Sequence, residues 1–252
     1  MILSGLGLSA VVAYLAFLLN WIQLSSVNTV IVIGTIVLGF GGWLPAIALI
    51  VFFAGSSFLS NLPAGTSAVD PEVKAHPNET SRRDSYQIWA NGFWAAVFIL
   101  IAFLGQSEIF IIAAFAAIAT AASDTWATEL GTRNPGNTKM ITNFEPVSPG
   151  EDGGVSIKGT LAAAAGALSV SLILLFSEYS SPISIFWIVL ISGFLGCVAD
   201  SYFGVFLKKN HKIKKLLRPD LPLNEFTLKN NLVNWMATGF SGLLAIIFTQ
   251  FI

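Results

Sequence analysis

Long apolar runs alternate along this chain with polar segments, and the runs are too long for the core of a small soluble domain. Candidate spans fall at about 2–22, 28–41, 43–59, 88–105, 107–122, 159–177, 183–206 and 232–251. Several reach or approach the roughly 20 residues that a bilayer-crossing helix needs. The stretch 28–59 is interrupted at Gly39, Phe40, Gly41 and Gly42, so it reads either as two short helices or as one kinked element. The pattern predicts an all-α polytopic membrane protein, one integral domain over 1–252. It would be a bundle of six to eight transmembrane helices, eight being preferred. The first run lacks the positive n-region and small-residue cleavage site of a secretory signal and reads as a span that stays.

Composition agrees with the pattern. Hydrophobic residues make up 54% of the chain and charged residues 11%, against about 25% charged in soluble domains. A net charge of −1 offers no global basic field for nucleic acid. One cysteine, Cys197, gives no disulfide framework. The two histidines, His76 and His211, sit in charged loops, so a metal here would need oxygen ligands.

The charges are placed asymmetrically. All 13 Lys and Arg lie in three polar loops, 60–87, 123–158 and 207–231. Two spans separate each loop from the next, so all three emerge on one face. The positive-inside rule makes that face cytoplasmic or its equivalent. The polar groups able to do chemistry fall on the same face, at helix ends.

Five stretches stand out. Ser123-Asp124-Thr125-Trp126, followed by Glu129, closes the fifth span, and Ala199-Asp200-Ser201-Tyr202 lies within the seventh. An Asp at a helix centre costs about 2.5–3.5 kcal/mol on insertion scales, so Asp200 is expected to face a polar cavity. Both segments read small residue, Asp, hydroxyl, aromatic, like two copies of one device. Two such carboxylates suit Mg²⁺ held together with water and substrate phosphate. The third stretch, PGEDGGVSIKGT, supplies Gly150, Gly153 and Gly154, whose backbone can turn N–H groups toward an anion. Ser156 or Thr160 can cap the next helix, and Lys158 adds a cation. Its K-G-T order excludes a P-loop, while Glu151 and Asp152 suggest a bridging metal. Fourth come Arg82, Arg83, Gln87 and Asn91 at the entrance of the fourth span, the arginines being forked phosphate donors. Fifth, Asn231 and Asn234 stack at i,i+3 where the last span begins. Carboxylates, glycine loop, amides and cations together form the inventory of phosphoryl transfer. With no Ser-His-Asp or Cys-His group in the chain, acyl transfer is poorly supported. The apolar setting points to a lipid acceptor.

DTWATELG, PGEDGGVSIKGT, GFLGCVADSYFG, NNLVNW and QIWANG, in these positions, resemble the phytyl-phosphate kinase family, which includes transmembrane protein 19. The resemblance covers about residues 70–240. It implies Mg²⁺-dependent transfer of the γ-phosphate of a nucleoside triphosphate, CTP being expected, to phytyl or another prenyl monophosphate. The product would feed tocopherol and phylloquinone synthesis from a cytoplasmic or thylakoid membrane, the loops facing cytoplasm or stroma. By motif it implies a site of Arg83, Gln87, Asn91, Asp124, Thr125, Glu129, Asp152, Gly153, Gly154, Ser156, Asp200, Ser201, Asn231 and Asn234. Asp124, Glu129, Asp152 and Asp200 would bind metal. The 150–156 loop, Lys158, Asn231 and Asn234 would hold nucleotide phosphates, and Arg82, Arg83, Gln87 and Asn91 the lipid phosphate. Asp124, Asp200, Lys158 and Arg83 are the expected catalytic set. Cys197 stands where the family pattern expects Ser. A CTP:lipid-phosphate cytidylyltransferase and a transporter with paired intramembrane aspartates are the competing readings.

Overall fold

In a computed structural model describing residues 1–62, 82–133, 137–179, 181–209 and 225–251, the stretch 28–59 breaks at Gly42. That glycine holds φ at +83°, a conformation other residues adopt only at a cost. Helix α2 (Val27–Gly41) stops there and α3 (Trp43–Ser60) starts at once. Pro45 falls in the first turn of α3, where its missing N–H costs no helical hydrogen bond. The other described helices are α1 (Ile2–Leu18), α4 (Ser85–Gly105), α5 (Glu108–Arg133), α6 (Ile157–Ser171), α7 (Pro182–Lys209) and α8 (Glu225–Phe248). With the 3-10 turns that extend α2 back to Leu24 and α6 on to Phe176, seven of these eight are long and apolar enough to cross a membrane, and α1, with 17 residues, is shorter.

The fold is an all-α bundle built around α5. That helix packs on α3, α4, α6, α7 and α8, and every residue from Ile112 to Ser123 is buried. Such contact requires small side chains, since apolar lipid offers no hydrophobic drive for helices to associate. A Cβ added at Gly166 of α6 would sit 2.7 Å from the Ala122 carbonyl oxygen, and one at Gly193 of α7 2.5 Å from the Ala119 Cβ. Hydroxyls reinforce these crossings. Ser123 Oγ donates to Ala163 O at 2.7 Å, and Ser241 Oγ to Ala116 O at 3.2 Å.

The α1–α2 turn, the end of α3, the start of α4, the α5–α6 loop, the end of α7 and the start of α8 gather at one end. Arg83 N donates to Trp21 O at 3.0 Å and Gln23 N to Arg83 O at 3.1 Å, tying the α1–α2 turn to the start of α4. Arg133 at the end of α5 donates to Leu62 O at 2.8 Å, just past α3. This alternation is the one that span parity required. The 123–158 loop differs from expectation. Helix α5 continues to Arg133 because no Gly or Pro interrupts it before Gly131; the acidic residues lower the hydropathy without breaking the helix. Beyond it, β1 (Lys139–Met140) pairs antiparallel with β2 (Gly154–Val155) in the register Lys139 to Val155 and Met140 to Gly154. Most of the 60–80 loop and the lysine run beyond Lys209 lie outside the described residues.

Candidate functional site

The hairpin, the end of α5, the start of α6, the C-terminal half of α7 and the start of α8 enclose a cavity of about 210 Å³. Two helices present matching stripes to it. On α5 these are Asp124, Ala127, Thr128 and Gly131, and on α7 they are Cys197, Asp200, Ser201 and Gly204. Each follows the i, i+3, i+4, i+7 spacing of a single helix face. The repeated Asp motif therefore has a geometric counterpart, with one carboxylate from each helix. The hydroxyl correspondence does not hold, because Ser201 lines the cavity and Thr125 does not.

Asp124 and Asp200 lie within hydrogen-bonding reach of one another, and Asp152 is close enough to Asp200 to act on it electrostatically. The Cys197 thiol sits beside both aspartates and the Ser123 hydroxyl. Asp200 Oδ2 is buried without a hydrogen-bond partner among the described residues. Two carboxylates cannot stay this close, both ionised, without a cation or a shared proton between them.

The glycine loop forms one wall of the cavity through Gly150, Asp152, Gly153, Gly154 and Ser156. Gly153 is required twice over. Its φ is +81°, and a Cβ there would lie 2.1 Å from Val205 Cγ2 and 3.2 Å from Ser201 O. The hairpin thus presses backbone directly onto α7. Ser156 caps α6 as expected, accepting from Gly159 N at 3.1 Å. The first turn of α6 then opens on the cavity through Gly159 and Thr160, bringing the positive end of a helix dipole to it.

Lys158 is exposed and off the cavity wall. The cation that lines it is Lys229, whose Nζ lies 2.5 Å from Asp152 Oδ2. Lys229, Asn230, Thr128 and Thr160 are not among the expected site residues. Lys229 and Asn230 lie four and three residues before Val233 on one face of α8, and it is the fold that turns this face to the cavity. Asn231 and Asn234 share the other side of α8 with Thr238, whose hydroxyl reaches Ala90 O of α4 at 3.4 Å. Both Asn231 amide atoms and Asn234 Oδ1 are buried without partners among the described residues.

The remaining expected residues lie across α5. Glu129, five positions from Asp124, points away from it, accepting from Ser60 Oγ at 2.5 Å and pairing with Arg133 at 3.5 Å. Gln87 completes a capping box with Asp84 at the start of α4, and Arg82 donates to Asn20. Arg83 and Asn91 line a separate, mostly apolar pocket of about 100 Å³ among α1, α2, α3 and α4. The Arg83 guanidinium lies over Phe52 and Phe53, 5.5 and 6.0 Å from their ring centroids. Burial lowers its pKa to about 10, opposed by the charge of Glu129, so it stays cationic at neutral pH. One expected site is thus two, on opposite sides of α5.

Among the described residues, no three of His, Cys, Asp and Glu form a ready ligand sphere for a metal. Mg²⁺ commonly takes only one or two carboxylates and fills the rest of its octahedron with water and phosphate. The Asp124–Asp200 pair, with Asp200 Oδ2 unpartnered, fits that mode. Asp152 is already engaged by Lys229, and Glu129 lies outside the cavity.

Compared with known proteins, residues 7–242 match the family described as "Integral membrane protein DUF92". The chain is similar to an uncharacterized membrane protein of Methanocaldococcus jannaschii, 29% identical over 218 residues covering 86% of this chain and 81% of the relative. It is similar to Protein PGR of Arabidopsis thaliana, 31% identical over 182 residues, 62% of each chain. An uncharacterized membrane protein of Synechocystis is 30% identical over 148 residues, 56% of this chain and 55% of the relative. The matches thus span less than two thirds of the latter two relatives. No solved structure matches. Since the family match runs through nearly the whole chain, from the first helix to the last, this protein belongs to the integral membrane family DUF92.

Proposed function

We propose that the cavity between α5, α7 and the hairpin transfers the γ-phosphate of a nucleoside triphosphate, CTP by the family resemblance, to a prenyl monophosphate. The carrying observation is the Asp124–Asp200 pair, two carboxylates from two helices in mutual contact beside a glycine loop. Such a pair in a membrane protein marks a functional site by default. Asp124 and Asp200 would hold Mg²⁺, which would supply positive charge to offset the charge that spreads over the transferring group.

The chain's own groups divide the remaining work. Lys229 and the N-terminus of α6 attract nucleotide phosphates, and the wedged hairpin fixes their distance from the aspartates. An oxygen of the lipid monophosphate bonds to the γ-phosphorus as the bond from phosphorus to the β,γ-bridging oxygen breaks. The nucleoside diphosphate leaves and a lipid diphosphate forms. A phosphate monoester is already ionised at neutral pH, so no general base is needed, in keeping with catalysis by positioning and electrostatics.

The test uses protein in detergent with CTP, Mg²⁺ and phytyl monophosphate. Asp124→Asn and Asp200→Asn should each abolish turnover, and either variant at the wild-type rate sinks the two-aspartate site. Labelled CTP separates this reading from nucleotidyl transfer, because the kinase releases CDP and a cytidylyltransferase releases pyrophosphate.

A further inference from the structure

The α1–α4 pocket is not used by the phosphoryl-transfer reading, and its chemistry is distinctive. Its walls are Leu8, Val12, Val30, Ile33, Leu49 and Ile50 with neighbouring apolar residues; Ser9, Arg83 and Asn91 are the polar side chains that reach it. Leu8 and Ile50 are also among the exposed large hydrophobics, at 43% and 48%. On α3, which is long and apolar enough to cross a membrane, the exposure of Ile50 faces acyl chains, so the pocket opens toward the bilayer.

Arg83 stands at the polar end of this pocket with an unusual set of contacts. Its backbone is fixed, Arg83 O accepting from Gln23 N at 3.1 Å and Ser26 Oγ at 2.9 Å. Its guanidinium is held over Phe52 and Phe53. Glu129 acts on it only as a charge, the Glu129 carboxylate being hydrogen-bonded to Ser60 and Arg133. No hydrogen-bond acceptor for the guanidinium occurs among the described residues. A half-buried fork of five donors lacking acceptors is costly unless an anion completes it. Arg83 also lies at the junction end of the helices, the depth at which lipid headgroups sit.

We infer that this pocket binds an anionic lipid of the surrounding bilayer, its acyl chain on the apolar walls and its headgroup on Arg83. The site is distinct from the Asp124–Asp200 cavity, with which it shares no lining residue. Charge complementarity selects the occupant. A zwitterionic lipid would set its own cation near the guanidinium, and a free anion would leave the apolar walls without a partner.

Native mass spectrometry of the detergent-purified chain, titrated with phosphatidylglycerol or phosphatidylcholine, tests this. Wild type should bind one phosphatidylglycerol about tenfold or more tighter than phosphatidylcholine, the scale of a charge-assisted contact. Arg83→Gln should erase that preference. Val30→Phe, which fills the pocket and leaves Arg83 intact, should weaken phosphatidylglycerol binding by a similar factor. Asp200→Asn should bind as wild type does, so lipid capture is read independently of turnover. Equal binding of the two lipids by wild type overturns the inference, as does an unchanged preference in Arg83→Gln. Should Arg83→Gln fail to fold, undiminished phosphatidylglycerol binding by Val30→Phe decides against it equally.

Discussion

Gly153 offers the sharpest test of how the hairpin is seated, because Gly150 supplies an internal control. Both hold a positive φ, +81° and +83°. An alanine at either position bears positive-φ strain, about 1–2 kcal/mol where the conformation is left-handed. Their surroundings differ. A Cβ at Gly150 would meet only Thr132 Cγ2, at 3.9 Å, an ordinary contact. At Gly153 it would lie 2.1 Å from Val205 Cγ2, with Met140 Sδ at 3.1 Å. Val205 is β-branched and on a helix, so its χ1 has almost no alternative. The hairpin must then lift from α7, adding the 1–3 kcal/mol typical of overpacking. Gly150→Ala should lower the unfolding temperature in detergent by a few degrees and Gly153→Ala by roughly 5–10 °C, at about 2–4 °C per kcal/mol. Adding Val205→Ala to Gly153→Ala removes the clash and leaves the backbone strain, so the double variant should recover toward the Gly150→Ala value once the loss from Val205→Ala alone is subtracted. Thermal unfolding of the four variants followed by tryptophan fluorescence reads this out. Equal unfolding temperatures for Gly150→Ala and Gly153→Ala, or no recovery on adding Val205→Ala, refute the wedge.

Two ion pairs among the described residues tie the hairpin to the end of α7 and the start of α8, and they should differ in strength. The Lys229–Asp152 pair has side chains 14% and 27% exposed, against 51% and 32% for Lys208–Glu151. Lys208→Met should cost under about 1 kcal/mol. Lys229→Met leaves Asp152 partly buried and unpaired and should cost about 2 kcal/mol, between the surface and buried limits. Chemical denaturation in detergent compares the two, and equal losses would contradict the burial difference. If the cavity takes nucleotide, Lys229→Met should also raise the KM for it more than Lys158→Met does, since Lys158 is off the wall. At the α5–α6 crossing, Gly166→Val places carbon against the Ala122 carbonyl and should abolish monodisperse protein on size-exclusion chromatography, whereas Gly7→Val, with nothing within 4 Å, should not.

How much of this was legible in the sequence depends on what kind of signal each residue carries. Periodicity and the placement of Lys and Arg are one-dimensional and sufficed for the helices, their alternation and the end at which polar groups collect. Local chemistry sufficed for the Ser156 cap and for Gly153, because a glycine loop entering a helix constrains its own neighbours. The side of a helix on which a residue falls was the difficult step. Asp124 and Glu129 look like one acidic cluster on paper, yet five residues turn an α-helix through about 140° at 3.6 residues per turn. Lys158 and Lys229 posed the converse problem. Lys158 is adjacent to the glycine loop in the chain and points into solvent, while Lys229 approaches it from 77 residues away.

The same rotation gives α5 two polar faces. A helix buried on all sides through Ile112–Ser123 emerges at the polar end with two chemically endowed faces. Asp124, Thr128 and Gly131 turn toward α6, α7 and the hairpin, where phosphate chemistry is proposed. Glu129 and Arg133 turn toward the end of α3 and the Arg83 pocket. Ser60, Glu129 and Arg133 therefore form a linked polar cluster on the side of α5 away from the aspartates. On the proposed reading, α5 keeps the Arg83 cation apart from the aspartate pair, so that one face would gather phosphate while the other would hold an anionic lipid of the bilayer that supplies the acceptor.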